Sequence, residues 1–296
     1  MYIKYTKGNR NYHLEFDYPL NLIIGDSSTG KTDFIQQVIK NRKYATTDAS
    51  KLYINPIGID YTTIAYNSMV LIDSDSVLLE DISGISSCGR DDVCFIIFGR
   101  KYAKNLPFSV LNTFQLINSN KTIINSRMFE PNSYKLGRFS TVMVEDEKSG
   151  FLFFKSVFHN TKTIGGNGNI SKHIKSNNLL VLDSVGFGGY IENFMKKVNN
   201  KDTPYILYNS FEGFLLREKF GIVDIPKCIN IEDGLLRELK NYIPDYSKKR
   251  GCTGASCSSC KSGCKTSSKQ LFESSEYSMF LGYQDNTFSS AISKMG

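Results

Sequence analysis

Hydrophobic and polar positions alternate near the start of the chain. The segments "YIKY" and "YHLEF" flank the turn-forming letters "KGNRN", and an apolar run follows at 20–24. Strict alternation is typical of strands with one buried face, and Gly and Asn between two such runs favour a tight turn. We therefore predict a β-hairpin over the first part of residues 1–24, leading into a buried third strand.

Longer apolar runs recur further along. The run "MVLID" ends at Asp73, "VCFIIFGR" occupies 93–100, and "FQLINS" and "KTIINSR" follow. Apolar runs of this length, bounded by polar residues, are typical of strands buried on both faces of a sheet. Residues 41–68 are rich in turn formers, Tyr and Thr. We predict an α/β domain with a doubly wound parallel sheet over residues 1–137.

A second series of strand and helix patterns starts at Thr141. The apolar segments "TVMV", "TKTI", "LLVLD" and "PYILY" are each followed by a helical pattern. Strands that alternate with helices predict a parallel sheet, because each crossover must return the chain to the same edge. We predict a second, smaller doubly wound α/β domain over 138–246 and a flexible tail over 247–296.

The stretch "NLIIGDSSTGKTDFIQQVIK", residues 21–40, carries the clearest chemical motif. It fits G-x-x-x-x-G-K-[ST], in which glycines let the backbone curl around phosphates, the lysine meets their charge and the hydroxyl binds Mg²⁺. A strand before the loop and a helix after it favour this interpretation over an ordinary glycine-rich turn. We expect the nucleotide-binding residues to be Gly25, Asp26, Ser27, Ser28, Thr29, Gly30, Lys31, Thr32 and Asp33.

The acidic end of the "MVLID" strand is the next candidate. We expect Asp73 to lie beside the strand that precedes the glycine loop and, with Thr32, to hold Mg²⁺. Asp75 is a candidate for polarising the attacking water, although the usual position for that carboxylate is occupied by Ser74. The alternative is that Asp73 only ends a strand and starts the turn "DSDS".

These residues resemble the P-loop NTPases of the AAA and ABC types, over roughly the first 135 residues. The segment "FIIFGRKYAKNLPFS" resembles the sensor strand of AAA-like ATPases, which implies that Arg100 meets the γ-phosphate. Arg127 and Arg138 are weaker candidates for an arginine supplied in trans. The alternative for each arginine is a surface salt bridge. The predicted catalytic residues are Lys31, Asp73, Asp75 and Arg100.

The second domain resembles a Toprim domain. Glu145 ends its first strand, Gly165-Gly166 forms a turn after the second, and Asp183 precedes a glycine-rich turn after the third. A P-loop ATPase joined to a Toprim module is the arrangement of the overcoming-lysogenisation-defect nucleases. The resemblance implies that Glu145 and Asp183 bind Mg²⁺, but Val185 stands where the family has a second aspartate.

Two questions about this second domain stay open. A two-metal site without a carboxylate at Val185 requires Asp146, Glu147 or Glu192 as a substitute. A flavodoxin-like or receiver-like domain, whose acidic residues only cap strands, is the alternative fold. We expect weak metal binding and slow or absent DNA cleavage.

Charge and composition narrow the class of protein. The formal net charge is +7, which suits nucleic acid but is also common in proteins that never touch it. No apolar run approaches the eighteen or so residues of a membrane span, and the first residues do not resemble a secretory signal. We expect a cytoplasmic protein without a membrane partner.

The tail contains Cys252, Cys257, Cys260 and Cys264 within a Ser-, Gly- and Lys-rich run. Four neighbouring thiolates suit Zn²⁺ or an iron–sulfur cluster. The composition equally suits a flexible linker that carries cysteines.

The sequence thus predicts an ATPase with ATP and Mg²⁺ as cofactors, whose nucleotide state controls a Toprim-like domain acting on nucleic acid. The alternative is a non-catalytic, ATP-dependent scaffold that binds a protein partner or a second copy of itself.

Overall fold

The chain is described by a computed structural model as an α/β protein of two compact units. The described residues are 1–26, 29–74, 84–100, 106–128, 133–135, 137–147, 149–158, 160–244 and 246. Unit 1 comprises the described residues of 1–130 and 226–234, and unit 2 those of 131–225 and from 235 onward. The short segment 226–234, which we predicted within the second domain, therefore groups with unit 1.

Unit 1 is built on a nine-stranded sheet with the order β4-β1-β2-β9-β8-β3-β7-β6-β5. The strands are β1 (Tyr2–Lys7), β2 (Arg10–Glu15), β3 (Leu20–Ile24), β4 (Ala45–Thr47), β5 (Lys51–Ile54), β6 (Ser68–Asp73), β7 (Cys94–Gly99), β8 (Thr113–Ser119) and β9 (Thr122–Arg127).

The sheet of unit 1 is mixed. Five neighbouring strands, β5-β6-β7-β3-β8, run parallel. The hairpin predicted near the N-terminus is confirmed, because β1 and β2 pair antiparallel. The strands predicted from "FQLINS" and "KTIINSR" are also confirmed, but they form an antiparallel hairpin, β8-β9, and not parallel neighbours.

One helix covers one face of this sheet. Helix α1 (Lys31–Lys40) buries Phe34, Ile35 and Val38 in a core shared with alternate residues of β3, β6 and β7. Full burial of such side chains stabilises the fold by about 1.5–3 kcal/mol each. Among the described residues, the opposite core is closed by Tyr61, Ile85 and other residues of short 3₁₀ turns and loops. Among the described residues of unit 1, α1 is thus the helix that represents the predicted double winding on this first face.

Unit 2 is built on a five-stranded sheet with the order β10-β14-β13-β11-β12. Its strands are β10 (Tyr134–Lys135), β11 (Thr141–Val144), β12 (Thr161–Thr163), β13 (Asn178–Asp183) and β14 (Tyr205–Tyr208). The helices are α2 (Ser149–Val157), α3 (Ile170–His173), α4 (Ile191–Lys201), α5 (Phe211–Phe220) and α6 (Ile231–Tyr242), of which α6 belongs to unit 2 from Leu235 onward. The helix predicted after the Gly165-Gly166 turn is present as α3, which has four residues, and α6 was not predicted.

The four strands predicted for unit 2 are parallel, while β10 is an antiparallel edge strand. The chain places β12 on one side of β11 and places β13 and β14 on the other. A reversal of this kind opens a crevice at the carboxyl ends of the two central strands. In unit 2 this crevice lies where β11 and β13 end.

Candidate functional site

The glycine loop of unit 1 joins β3 to α1. Gly30 caps the helix with φ of 83°, a left-handed conformation that a residue with a Cβ adopts only at a cost. A Cβ at this position would lie 3.4 Å from the hydroxyl oxygen of Tyr12. The second glycine of the motif is therefore required by the backbone itself.

Lys31 folds back into this loop. Its side chain is buried, with 6% exposure, and its ammonium group donates hydrogen bonds to the carbonyl oxygens of Gly25 and Asp26 and to the hydroxyl of Thr29. The Thr29 hydroxyl in turn donates to the Asp26 carbonyl, at 2.9 Å. The curve of the loop thus encloses a cation.

This arrangement is electrostatically suited to an anion. Lys31 is the first residue of α1, where the partial positive charge of the helix dipole opposes a cation. The carbonyl groups of the loop offset that repulsion in the geometry described. A polyphosphate entering the loop would satisfy both the ammonium group and the helix N-terminus.

The other predicted members of the loop differ in their surroundings. Asp33 accepts a hydrogen bond from the Tyr12 hydroxyl at 3.3 Å and pairs with Arg10, also at 3.3 Å. Burial, followed by the charge of Asp33, raises the pKa of Tyr12 to about 12. Asp33 therefore connects α1 to the N-terminal hairpin. Thr32 is exposed on the first helical turn, and Ser27 and Ser28 lie outside the described residues.

Asp73 ends β6 and is buried, with 3% exposure. Our expectation that its strand lies beside β3 is wrong, because β7 lies between them: Asp73 is level with Phe98, and Phe98 with Ile23. Two strand spacings separate Asp73 from Ile23, or about 10 Å between backbones. The residue order along the chain gave no information about this inserted strand.

The alternation along β6 nevertheless directs Asp73 toward α1. Met69 and Leu71, two and four residues earlier, belong to the core that contains Phe34 of α1, whereas Val70 and Ile72 belong to the opposite core. Side chains alternate between faces along a strand. Asp73 therefore shares a face with α1, at the edge where Lys31 begins the helix.

A neighbour in space fixes the end of β6. The backbone N–H of Asp73 donates to the side-chain oxygen of Asn55, at 2.7 Å, and the N–H of Ser74 donates to the carbonyl of Phe98, at 2.9 Å. Asn55 itself has φ of 44°. Sequence reasoning missed Asn55, and its only signal was an asparagine followed by proline at the end of "KLYI".

The predicted arginines have different environments. Arg100 is exposed and follows Gly99, which pairs with Ile24 at the start of the glycine loop. Arg127 pairs with Asp17, at 3.5 Å, and donates to the carbonyl of Leu111. Arg138 is exposed in unit 2. The register of β7 thus places Arg100 one residue beyond the position that is level with the start of the glycine loop. Asp75 lies outside the described residues.

In unit 2, the structure brings Glu145 and Asp183 to the ends of neighbouring strands. Val144 is level with Val181, and the N–H of Glu145 donates to the Val181 carbonyl at 2.9 Å. One carboxylate oxygen of Asp183 accepts from the N–H groups of Val185 and Gly186, at 2.8 and 3.1 Å. Asp183 therefore also shapes the turn that follows β13.

Tyr208, which sequence reasoning missed, ends β14 beside Asp183. Burial raises its pKa well above the ordinary value, and the charges of Asp146, Asp183, Glu145 and Glu212 add to the increase. Four carboxylates thus act on one buried phenol. The apolar run "YILY" contains no feature that distinguishes this tyrosine from a core residue.

The acidic edge has further fixed contacts. Asp146 accepts from the N–H of Gly150 at 2.9 Å, and Glu212, which is 4% exposed, accepts from the Tyr246 hydroxyl at 3.0 Å. Val185 is buried in the apolar core at 4% exposure. Within the described ranges, no group of three or more His, Cys, Asp or Glu side chains is arranged to hold a metal ion. Metal binding by Glu145 and Asp183 stays a prediction.

The predictions for Glu192 as a substitute metal ligand and for the cysteine cluster of the tail are not tested. The structure does not describe the side chain of Glu192, nor Cys252, Cys257, Cys260 and Cys264. In the described part of the chain, no helix has the length and apolar character needed to span a membrane.

Comparisons of the chain with protein-family models, with curated protein sequences and with solved structures give no match.

Proposed function

We propose that the chain is a cytoplasmic P-loop ATPase whose nucleotide state controls a Toprim-like second unit. The observation that carries this proposal is the buried Lys31 ammonium group inside the glycine loop, at the N-terminus of α1. This ammonium group donates to the Asp26 carbonyl and the Thr29 hydroxyl, and a positive charge held at a helix N-terminus is a binding group for an anion.

The residues present fit Mg·ATP. Gly30 adopts the left-handed backbone that the loop needs, and Asp73 supplies a carboxylate on the α1 face of the sheet. Bound Mg·ATP would supply the triphosphate and a cation that neutralises charge developing on the transferred phosphoryl group. Lys31 would bind the phosphates, Asp73 would hold the Mg²⁺ shell with Thr32, and Arg100 would meet the γ-phosphate.

Unit 2 supports the second part of the proposal through its topology. Its parallel strands place Glu145 and Asp183 at the crevice between β11 and β13, as a Toprim-like module requires. Val185 is apolar and buried where a second aspartate is expected. We therefore propose that unit 2 binds nucleic acid without cutting it.

The direct test is a Mg·ATP titration of the full chain by calorimetry, with thermal unfolding measured in parallel. A ligand that binds only the folded state at one hundred times its Kd raises stability by about 2.7 kcal/mol. We expect binding and a raised Tm with Mg·ATP, and a much smaller response with adenosine, which lacks phosphates. Equal responses to the two ligands, or none to either, would contradict the proposal.

The proposed metal site of unit 2 has its own prediction. If Glu145 and Asp183 bind a divalent cation, Mn²⁺ should raise the Tm of the full chain, and the double variant Glu145→Gln, Asp183→Asn should lose that increase. The measurement is a melting curve with and without Mn²⁺, together with a plasmid-nicking assay in which we expect no cleavage.

The matched control for this experiment is the double variant Asp202→Asn, Asp224→Asn, which removes two exposed carboxylates from the same unit. It should keep the Mn²⁺ response of the wild type. A response that persists in the Glu145 and Asp183 variant would place the metal elsewhere, and nicking that vanishes in that variant would show that unit 2 is a nuclease.

A further inference from the structure

An exposed aromatic side chain lies on the loops next to Asp183. Tyr190 is 50% exposed and immediately precedes α4, and a Cβ on Gly168 would lie 3.6 Å from its hydroxyl oxygen. The loops that carry these two residues are joined, because the Asn167 amide donates to the Gly186 carbonyl at 2.6 Å. The phenol end of Tyr190 is therefore held against a joined pair of loops, while half of the side chain faces solvent.

Exposed lysines lie on both sides of the Gly168 loop in the sequence. Residues 160–182, which include this loop and α3, contain Lys162, Lys172 and Lys175 and neither Asp nor Glu. All three lysines are exposed. Burial lowers the pKa of His173, and the positive charges of Lys175 and Lys172 lower it further. This part of unit 2 would attract a polyanion.

Helix α4 extends this surface away from the loops. It packs against α3, which carries Lys172. Asn193 and Lys197, three and seven residues after Tyr190, are exposed and lie on the same side of the helix. Seven residues of helix span about 10.5 Å. Lys172 donates to the neutral amide oxygen of Asn169, at 2.7 Å, so this contact leaves its charge uncompensated.

We propose that these residues, Tyr190, Asn193, Lys197 and Lys172, form a binding surface for single-stranded nucleic acid. One unpaired base stacks on Tyr190, and the lysines of α3 and α4 contact the phosphates that follow. Single strands are favoured over duplex because a base can stack on a side chain only when it is unstacked from its own helix. This inference rests on the proposed nucleic-acid role of unit 2 and names the partner class and the residues.

The test is fluorescence anisotropy of a dye-labelled oligothymidine with the full chain. Tyr190→Ala should weaken binding about tenfold, because one stacked base is lost, whereas Tyr190→Phe, which keeps the ring, should bind within about threefold of the wild type. Tyr66→Ala is the matched control, since Tyr66 is 77% exposed and lies in unit 1. It should bind like the wild type.

The lysines are tested through the salt dependence of the same binding. Each phosphate contact contributes about −0.7 to the slope of log K against log salt concentration for single strands. Lys197→Gln and Lys172→Gln should each reduce the slope by about that amount, whereas the base-stacking variant Tyr190→Ala should leave it unchanged.

Three results would overturn the inference. These are unchanged affinity in Tyr190→Ala, equally weak binding by Tyr190→Phe, and tighter binding of duplex DNA of the same length. Equal competition by polyglutamate would indicate a surface for an acidic protein and would also overturn it. If the chain responds to Mg·ATP but does not bind the oligonucleotide, this inference fails while the nucleotide proposal for unit 1 stands.

Discussion

Replacing Lys31 with alanine is expected to weaken Mg·ATP binding by about 10²-fold. The wild-type ammonium group is buried in the loop and already bonded to Asp26 and Thr29, so it is positioned before the nucleotide arrives. A hydrogen bond to a charged group contributes about 1.5–3 kcal/mol, and each 1.4 kcal/mol corresponds to a factor of about ten in Kd. Isothermal calorimetry of the full chain measures the loss.

The fold should persist in this variant. The packing of α1 depends on Phe34, Ile35 and Val38, which the substitution leaves in place. Lys40→Ala is the matched control, because Lys40 is an exposed lysine in the last turn of the same helix. Its Kd should equal that of the wild type. Equal Mg·ATP binding by the wild type and Lys31→Ala would remove the basis for a phosphate site in unit 1.

Asp73→Asn is expected to lower the rate of ATP hydrolysis by about 10²-fold while changing ATP affinity much less. Asparagine keeps the size and the buried position of the side chain. It removes the charge that we propose holds the Mg²⁺ shell. Charge stabilisation by a metal is worth several kcal/mol in the transition state, and about 2.7 kcal/mol corresponds to 10²-fold in rate. Phosphate release under saturating Mg·ATP measures the change.

Asp17→Asn serves as the control for this experiment, because the Asp17 side chain is 65% exposed and precedes β3 at the opposite end of the strand. Its rate should match the wild type. Unchanged phosphate release in Asp73→Asn would show that Asp73 is not the Mg²⁺ residue. A wild-type chain that binds Mg·ATP without releasing phosphate would instead favour the ATP-dependent scaffold.

Much of the local structure was readable from single segments. The apolar run before Gly25, the helix pattern after Lys31 and the run that ends at Asp73 each predicted their element, because burial and helix periodicity act over a few residues. The acidic strand ends at Glu145 and Asp183 were readable for the same reason. In a parallel sheet, consecutive strands end at one edge, so these two residues were expected near each other.

Strand neighbours were less predictable. We expected β6 beside β3, but β7 lies between them and separates Asp73 from the glycine loop by two strand spacings. Likewise, β8 and β9 were expected as parallel strands and form a hairpin. Pairing depends on contacts between segments far apart in the chain, which periodicity within one segment does not encode.

The sequence by itself determined the glycine loop, the buried strands and the acids that end them. Only the tertiary structure decided which side chains meet: the Asn55 amide at the end of β6, Tyr208 among the carboxylates of unit 2, and Tyr190 against the joined loops beside Asp183. The physical reason is that local patterns record which surface of a segment is buried. The partners across that surface depend on the spatial order of the strands in the sheet and on the register of their hydrogen bonds.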